Sequence, residues 1–130
     1  MSAADETITG VSLAADLHAT GPRPMVAILD AKPGQAAALR HLILELSAHV
    51  RREPGCVAFL PYEDHATTGR FYLYEIYHNL DAFKTHLRTG HVKHFAATVP
   101  ALCSNDTANA LVQLDELAVP ADGDGNPAVR

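Results

Sequence analysis

Residues 70–95 read RFYLYEIYHNLDAFKTHLRTGHVKHF, a strand that runs straight into a helix and carries four of the chain's eight histidines. Alternation along the strand puts Phe71, Leu73, Glu75 and Tyr77 on one face and Tyr72, Tyr74, Ile76 and His78 on the other. Both faces are rich in apolar and aromatic groups, so both are expected to be at least half buried. A carboxylate in that setting is paired, protonated or serving chemistry, because burying it alone costs too much. Asn79 is a natural N-cap for the helix that follows, and Asp81 sits in the first turn, where the helix dipole favours it. Leu80, Phe83 and Leu87 form the apolar side of this helix, and Thr89-Gly90 breaks it. A further helical segment is expected from His91 to about Leu102, with Val92, Phe95, Ala96 and Val99 as its stripe and Pro100 ending or kinking it.

Outward from that stretch, the upstream elements follow from periodicity. Pro24 to Ala31, PMVAILDA, reads as a strand central in a sheet. From Gln35 to Glu53, Leu39, Leu42, Ile43, Leu46 and Val50 recur at helical spacing, and Pro54-Gly55 stops the helix. Cys56 to Asp64 is a second strand, in which Pro61 calls for an edge position or a bulge. Residues 65–69 turn the chain as a hairpin loop. Downstream, Ala110 to Leu117 alternates as a fourth strand. Residues 1–22 read as an N-terminal extension or arm in which Ser12 could cap a short helix, residues 23–118 as one domain, and residues 119–130 as a flexible tail. The order β-α-β-β-α-α-β matches the ferredoxin-like split βαβ arrangement, an α+β fold with an antiparallel sheet and helices on one face. The second strand alternates Val57 and Phe59 against Cys56, Ala58, Leu60 and Tyr62 and leaves neither face polar, so the sheet face without helices is expected to pair with a second copy, giving a homodimer.

Bulk properties exclude several classes. A chain of 130 residues fits one domain with a sufficient core. A hydrophobic share of 48% and a charged share of 19% are those of a soluble globule. The net charge of −5 argues against nucleic acid or an anionic membrane as partner. No apolar run approaches the ~20 residues of a membrane span, and the acidic N-terminus lacks the pattern of a secretory signal. Two cysteines, Cys56 and Cys103, are too few for a disulfide framework, so a reduced cytoplasmic location is expected.

Three motifs carry a family resemblance. Glu53-Pro54-Gly55-Cys56 followed by an aromatic strand resembles the EPGC signature of antibiotic biosynthesis monooxygenase (ABM) domains. Phe71 to Glu75, FYLYE, is similar to that family's F-x-x-Y-E strand. His86, Thr89, Gly90, His91 and Phe95 resemble its H-x-x-[ST]-x-H-x-x-x-F run. The resemblance spans roughly Met25 to Leu117 and implies a dimeric α+β barrel. The activities it implies are cofactor-free oxygenation of quinols and polyketide phenols, or isomerisation of a small signalling-molecule product. Two departures stand out. Tyr77 occupies the position where the family usually has Trp, and the first 22 residues precede its usual start.

Oxygenation without metal or flavin needs an electron-rich substrate that itself reduces O₂, and a protein that supplies a base, a dry pocket and a stabiliser for the developing anion. Glu75, His86 and His91 are the candidate catalytic residues, with histidine suited to the base and Glu75 either orienting an imidazole or acting as base itself. Tyr62, Tyr74 and Tyr77 are expected to offer aromatic walls with hydroxyl handles, and Phe59, Phe83 and Phe95 to close the apolar part of the pocket. The bland alternative is that Glu75 hydrogen-bonds His86 or His91 and holds the helix on the sheet. A two-histidine, one-carboxylate iron site made of Glu75, His86 and His91 is the metal alternative, although the break at Gly90 works against it. The expectation is therefore no cofactor and no metal, with a small aromatic substrate and O₂ as partners. An isomerase or tautomerase of a keto-enol substrate, or a non-catalytic ligand-binding or stress-associated dimer, remain as alternatives.

Overall fold

The computed structural model describes residues 21–120, together with the backbone of residues 7–8 and 11–12. Strand β1 (Thr7–Ile8) pairs antiparallel with β2 (Val11–Ser12). Ser12 lies in this short ladder, while the short helix expected after it, the rest of the expected arm and the end of the tail fall outside the described residues. The main body follows in the order β3 (Arg23–Asp30), α1 (Ala36–Val50), β4 (Cys56–Glu63), β5 (Arg70–Tyr77), α2 (Leu80–Leu87), α3 (Gly90–Thr98) and β6 (Leu111–Gln113). The sheet order is β4-β5-β3-β6, with every pair antiparallel. This is the ferredoxin-like α+β arrangement, with all three helices on one face.

The sheet's inner face is built by period two. Met25, Ala27 and Leu29 of β3, Phe59 of β4, and Phe71, Leu73 and Tyr77 of β5 are all buried. Against them α1 lays Leu39, Leu42, Ile43, Leu46 and Val50, while Phe83, Leu87 and Val92 arrive from α2 and α3. Each of the Val, Leu, Ile, Phe and Met side chains among them contributes about 1.5–3 kcal/mol on burial. The outer face carries Leu60, Tyr62, Tyr74 and Val112, all exposed.

Helix starts follow local chemistry. The Asn79 side chain accepts the Ala82 N–H at 2.8 Å and opens α2. Thr89 Oγ1 accepts the Val92 N–H at 3.3 Å and opens α3, so the break at Thr89-Gly90 is a cap between two helices. Pro61 lies on edge strand β4, paired only to β5, and the bulge falls earlier, between Cys56 and Ala58. The expected strand from Ala110 to Leu117 shortens to three residues, and α3 gives way to a 3₁₀ turn at Val99–Ala101, where Pro100 intervenes. Helix α1 also ends earlier than expected. Its regular part closes at Val50, and Glu53 stands in the turn beyond, its N–H donating to the Val50 carbonyl at 3.0 Å.

Candidate functional site

Between the inner sheet face and the helices lies an apolar cavity of about 250 Å³. Phe59, Phe83 and Phe95 wall it, and its titratable lining groups are Glu75 and His86. The sequence brings these two together simply. Glu75 shares the inner face of β5 with Phe71 and Leu73, and His86 lies on the buried side of α2 with Phe83 and Leu87.

Glu75 and His86 meet through Tyr77. The Tyr77 hydroxyl is 2.6 Å from Glu75 Oε1 and 3.0 Å from His86 Nε2, whereas Glu75 and His86 themselves stand 3.9 Å apart. On its other side, His86 Nδ1 is 2.9 Å from Glu53 Oε2, and the same oxygen is 2.6 Å from His91 Nε2. One line of hydrogen bonds therefore runs His91–Glu53–His86–Tyr77–Glu75. His91 closes the line at a second, surface groove, where its ring stacks on His49 with centroids 5.3 Å apart.

The electrostatics divide the two carboxylates. Burial pushes Glu75 up to about 7; the nearby charge of Glu53 adds to this, and the Tyr77 hydrogen bond opposes it. Burial also acts on Glu53, but hydrogen bonds and charge from His86 and His91 outweigh it and hold Glu53 below the usual carboxylate range. Burial, then the charge on Glu75, pushes the Tyr77 phenol far up, so it stays a hydroxyl. The Cys56 thiol is raised by burial and then by Glu53 and Glu75, as suits a packing residue. A carboxyl poised near neutrality beside an apolar cavity can exchange protons with a bound molecule.

Several sequence expectations shift here. Glu75 does not bond His91, whose partner is Glu53, and it reaches His86 only through Tyr77. Tyr77 is fully buried behind Glu75 as a link rather than a wall. Tyr62 and Tyr74 stand on the outer sheet face, since strand alternation turns them away from Phe59 and Glu75. Phe59, Phe83 and Phe95 do line the cavity. Glu53, which sequence reasoning passed over, is the hub. Its signal was its place in Glu53-Pro54-Gly55-Cys56, where each residue has a structural task. Pro54 follows the helix end, and Gly55 lets α2 approach, since a Cβ there would lie 2.5 Å from the Ala82 Cβ. Cys56 then enters β4.

Glu53, His86 and His91 also offer three ligand atoms within 4.8 Å of one another, so the carboxylate nearest a metal-like trio is Glu53 rather than Glu75. Ligands sharing one ion at about 2.0–2.2 Å stand roughly 3 Å or more apart. The 2.6 Å and 2.9 Å separations here are instead those of charge-assisted hydrogen bonds. No helix among the described residues is long and apolar enough to cross a membrane.

Residues 25–98, more than half of the chain, match the family described as antibiotic biosynthesis monooxygenase. Among solved structures, the chain is similar to Rv0793 from Mycobacterium tuberculosis, at 26% identity and TM-score 0.70 over 78% of this chain and 100% of that one. It is similar to PA3566 from Pseudomonas aeruginosa at 30% identity and TM-score 0.69, over 78% of this chain and 99% of that one. A Caulobacter crescentus protein aligns at 27% identity and TM-score 0.70, over 78% and 95% of the two chains. No curated protein matches in a sequence search.

Proposed function

Since the chain belongs to the antibiotic biosynthesis monooxygenase family, we propose that it is a cofactor-independent monooxygenase of a small quinol or phenolic, polyketide-like substrate. The observation that carries this reading is the cavity itself: aromatic walls, with Glu75 and His86 as its titratable groups. A cavity of about 250 Å³ suits a molecule of one or two aromatic rings and leaves little room for water beside it.

The reaction is R₂CH₂ + O₂ → R₂C=O + H₂O, where the reacting carbon is a methylene activated by neighbouring phenols, as in an anthrone, or the ring methylene of a quinol's keto tautomer. Glu75, as carboxylate, removes a proton from the bound substrate. The resulting anion gives one electron to O₂, and the two radicals join as a C–O–O⁻ peroxide. His86 protonates the terminal oxygen. Loss of the second proton from carbon, with cleavage of the O–O bond, leaves the ketone and releases hydroxide, which is protonated to water. One oxygen atom enters the product and the other leaves as water, so no external reductant is required.

Oxygen uptake tests the proposal. Wild type should consume O₂ with menadiol or a hydroxylated anthrone, and a Glu75→Gln/His86→Ala double variant should not exceed the uncatalysed rate. Equal uptake by the two proteins would refute it. A second reading rests on the same acid–base pair, which could move a proton between carbon and oxygen of a keto-enol substrate without O₂; turnover under anaerobic conditions would favour it. As part of the same proposal, the apolar outer sheet face joins two copies into a homodimer that works in the reducing cytoplasm, in keeping with the two free cysteines.

A further inference from the structure

The oxygenase reading treats Glu75 as the base and His86 as the acid, but gives no part to the residue between them. The Tyr77 hydroxyl has one hydrogen to donate and lone pairs to accept with, and its neighbours stand at 2.6 Å and 3.0 Å. With Glu53 ionised, as His86 and His91 hold it, two arrangements satisfy every contact from Glu53 to Glu75. In one, the Glu75 carboxyl O–H donates to the Tyr77 oxygen, the Tyr77 O–H donates to His86 Nε2, and His86 Nδ1–H donates to Glu53. In the other, the Tyr77 O–H donates to a Glu75 carboxylate and His86 Nε2–H donates to the Tyr77 oxygen. The His86 ring is then cationic, with its Nδ1–H still on Glu53.

These two arrangements differ by a single proton, moved from Glu75 to His86 in two short hops, and Tyr77 ends with the proton count it began with. With Nδ1–H held on Glu53, a Glu75 carboxylate beside a neutral His86 would leave the Nε2 lone pair and the Tyr77 oxygen facing each other once the Tyr77 O–H turns to Glu75. The line is therefore satisfied when one proton is present on either end.

We infer that Tyr77 carries a proton between Glu75 and His86, so that two side chains lining one cavity act as a single acid–base pair. Glu53 holds Nδ1–H of His86 in both arrangements, which fixes Nε2 as the exchanging atom and supplies the counter-charge when the ring is cationic. The groups facing Glu75 are Tyr77 from its own strand, His86 from α2, Glu53 from the turn after α1, and Cys56 from β4, with His91 of α3 beyond Glu53 and Arg51 near Cys56. In the proposed oxygenation, on which this catalytic use rests, a proton taken from the substrate at Glu75 becomes available at His86 for the peroxide oxygen. The enzyme's own charge is thereby restored without exchange with solvent. An indole at position 77 could not do this, because its N–H only donates.

The test reads the proton itself and needs no turnover, so its failure is separate from failure of the oxygenase reading, which oxygen uptake decides. Nitrogen-15 NMR of labelled histidine follows His86 Nε2 against pH in wild type, Glu75→Gln, Tyr77→Phe and the double variant. In Glu75→Gln the neutral amide can neither take up nor release the exchanging proton, nor offset a cationic His86 ring. Protonation of Nε2 should then require a pH lower by at least one unit than in wild type, a tenfold change. In the Tyr77→Phe background only the direct charge effect of Glu75, 3.9 Å from Nε2, remains, so the same Glu75→Gln change should move Nε2 by clearly less than it does with tyrosine at 77. If Tyr77→Phe does not fold, a ring-fluorinated tyrosine at position 77, which is more acidic at nearly the same volume, must move the Nε2 transition. Overturning results are an Nε2 transition that ignores Glu75→Gln, one that responds equally with Phe at 77, or one unmoved by ring fluorination.

Discussion

Glu53 precedes His86 by 33 residues, yet its carboxylate lies 2.9 Å from the His86 Nδ1 and pins the turn after α1 to the buried side of α2. Both side chains are nearly buried, with 11% and 6% of their surface exposed. Removing one partner of a buried charged pair costs more than the pair itself contributes, because the other is left without its hydrogen bond. Glu53→Ala should therefore lower unfolding stability by about 3 kcal/mol in urea titrations. Glu53→Gln, which still accepts one hydrogen bond, should lose roughly half as much. Loss of less than 0.5 kcal/mol in the alanine variant would show that His86 and His91 find other partners.

Gly55 is fixed by contact rather than by backbone angle. A Cβ added there would lie 2.5 Å from the Ala82 Cβ and 3.3 Å from its Cα. Both elements carry site residues: Glu53 sits two positions before Gly55, and Ala82 is on the helix that holds His86. Gly55→Ala should cost about 1–3 kcal/mol, the usual range for overpacking, and should weaken the Glu53–His86 pair as α2 shifts. Adding Ala82→Gly removes the clashing methyl, so the double variant should regain part of the loss despite glycine's own helix penalty. A double-mutant cycle by thermal or urea unfolding measures this coupling, and additive losses would refute it.

The fold was readable because its signals are local. The alternation of Phe71, Leu73, Glu75 and Tyr77 and the stripe from Leu39 to Val50 each name their own buried face. The cap at Asn79 follows from a single side chain. The site was harder, because what joins it is long-range. Glu53 looks like one more polar residue at a helix end until α2 and α3 are folded over it, and nothing in the strand pattern says that Tyr77 will bridge Glu75 to His86. Tyr62 and Tyr74 suit a pocket by their chemistry, yet the period of two that sets Glu75 inward already turns Tyr74 outward. The shortening of β6 to Leu111–Gln113 was hidden too, since alternation continues after pairing with β3 has ceased.

The outer sheet face sets a further expectation. Leu60, Tyr62, Tyr74 and Val112 are each 40% or more exposed on a sheet whose other face is covered by helices. A charge placed among these side chains at a buried dimer interface would be costly, whereas on a solvated face it would be neutral. Tyr74→Glu should convert a dimer into monomer at micromolar concentration in analytical ultracentrifugation, with the monomer retaining the wild-type circular dichroism spectrum. A wild-type protein that sediments as a monomer would remove the argument.

The pH dependence of stability isolates Glu75. Its carboxyl moves from 4.5 to about 7 on folding, chiefly through burial. A raised acid binds more protons in the native state than in the unfolded chain across that interval, so its contribution is fully present below pH 4.5 and lost as pH rises towards about 7. At 1.36 kcal/mol per pH unit the loss is about 3 kcal/mol. Glu53 runs the other way. Its carboxylate is held below the usual range by His86 and His91, so its contribution is present above the unfolded value and lost as acid protonates it. The two are separable by mutation. Between pH 5 and pH 8, wild type should lose about 3 kcal/mol relative to Glu75→Gln, measured by urea unfolding at each pH. Parallel curves for the two proteins would mean that Glu75 titrates alike in the folded and unfolded states, and that the cavity does not hold a carboxyl near neutrality.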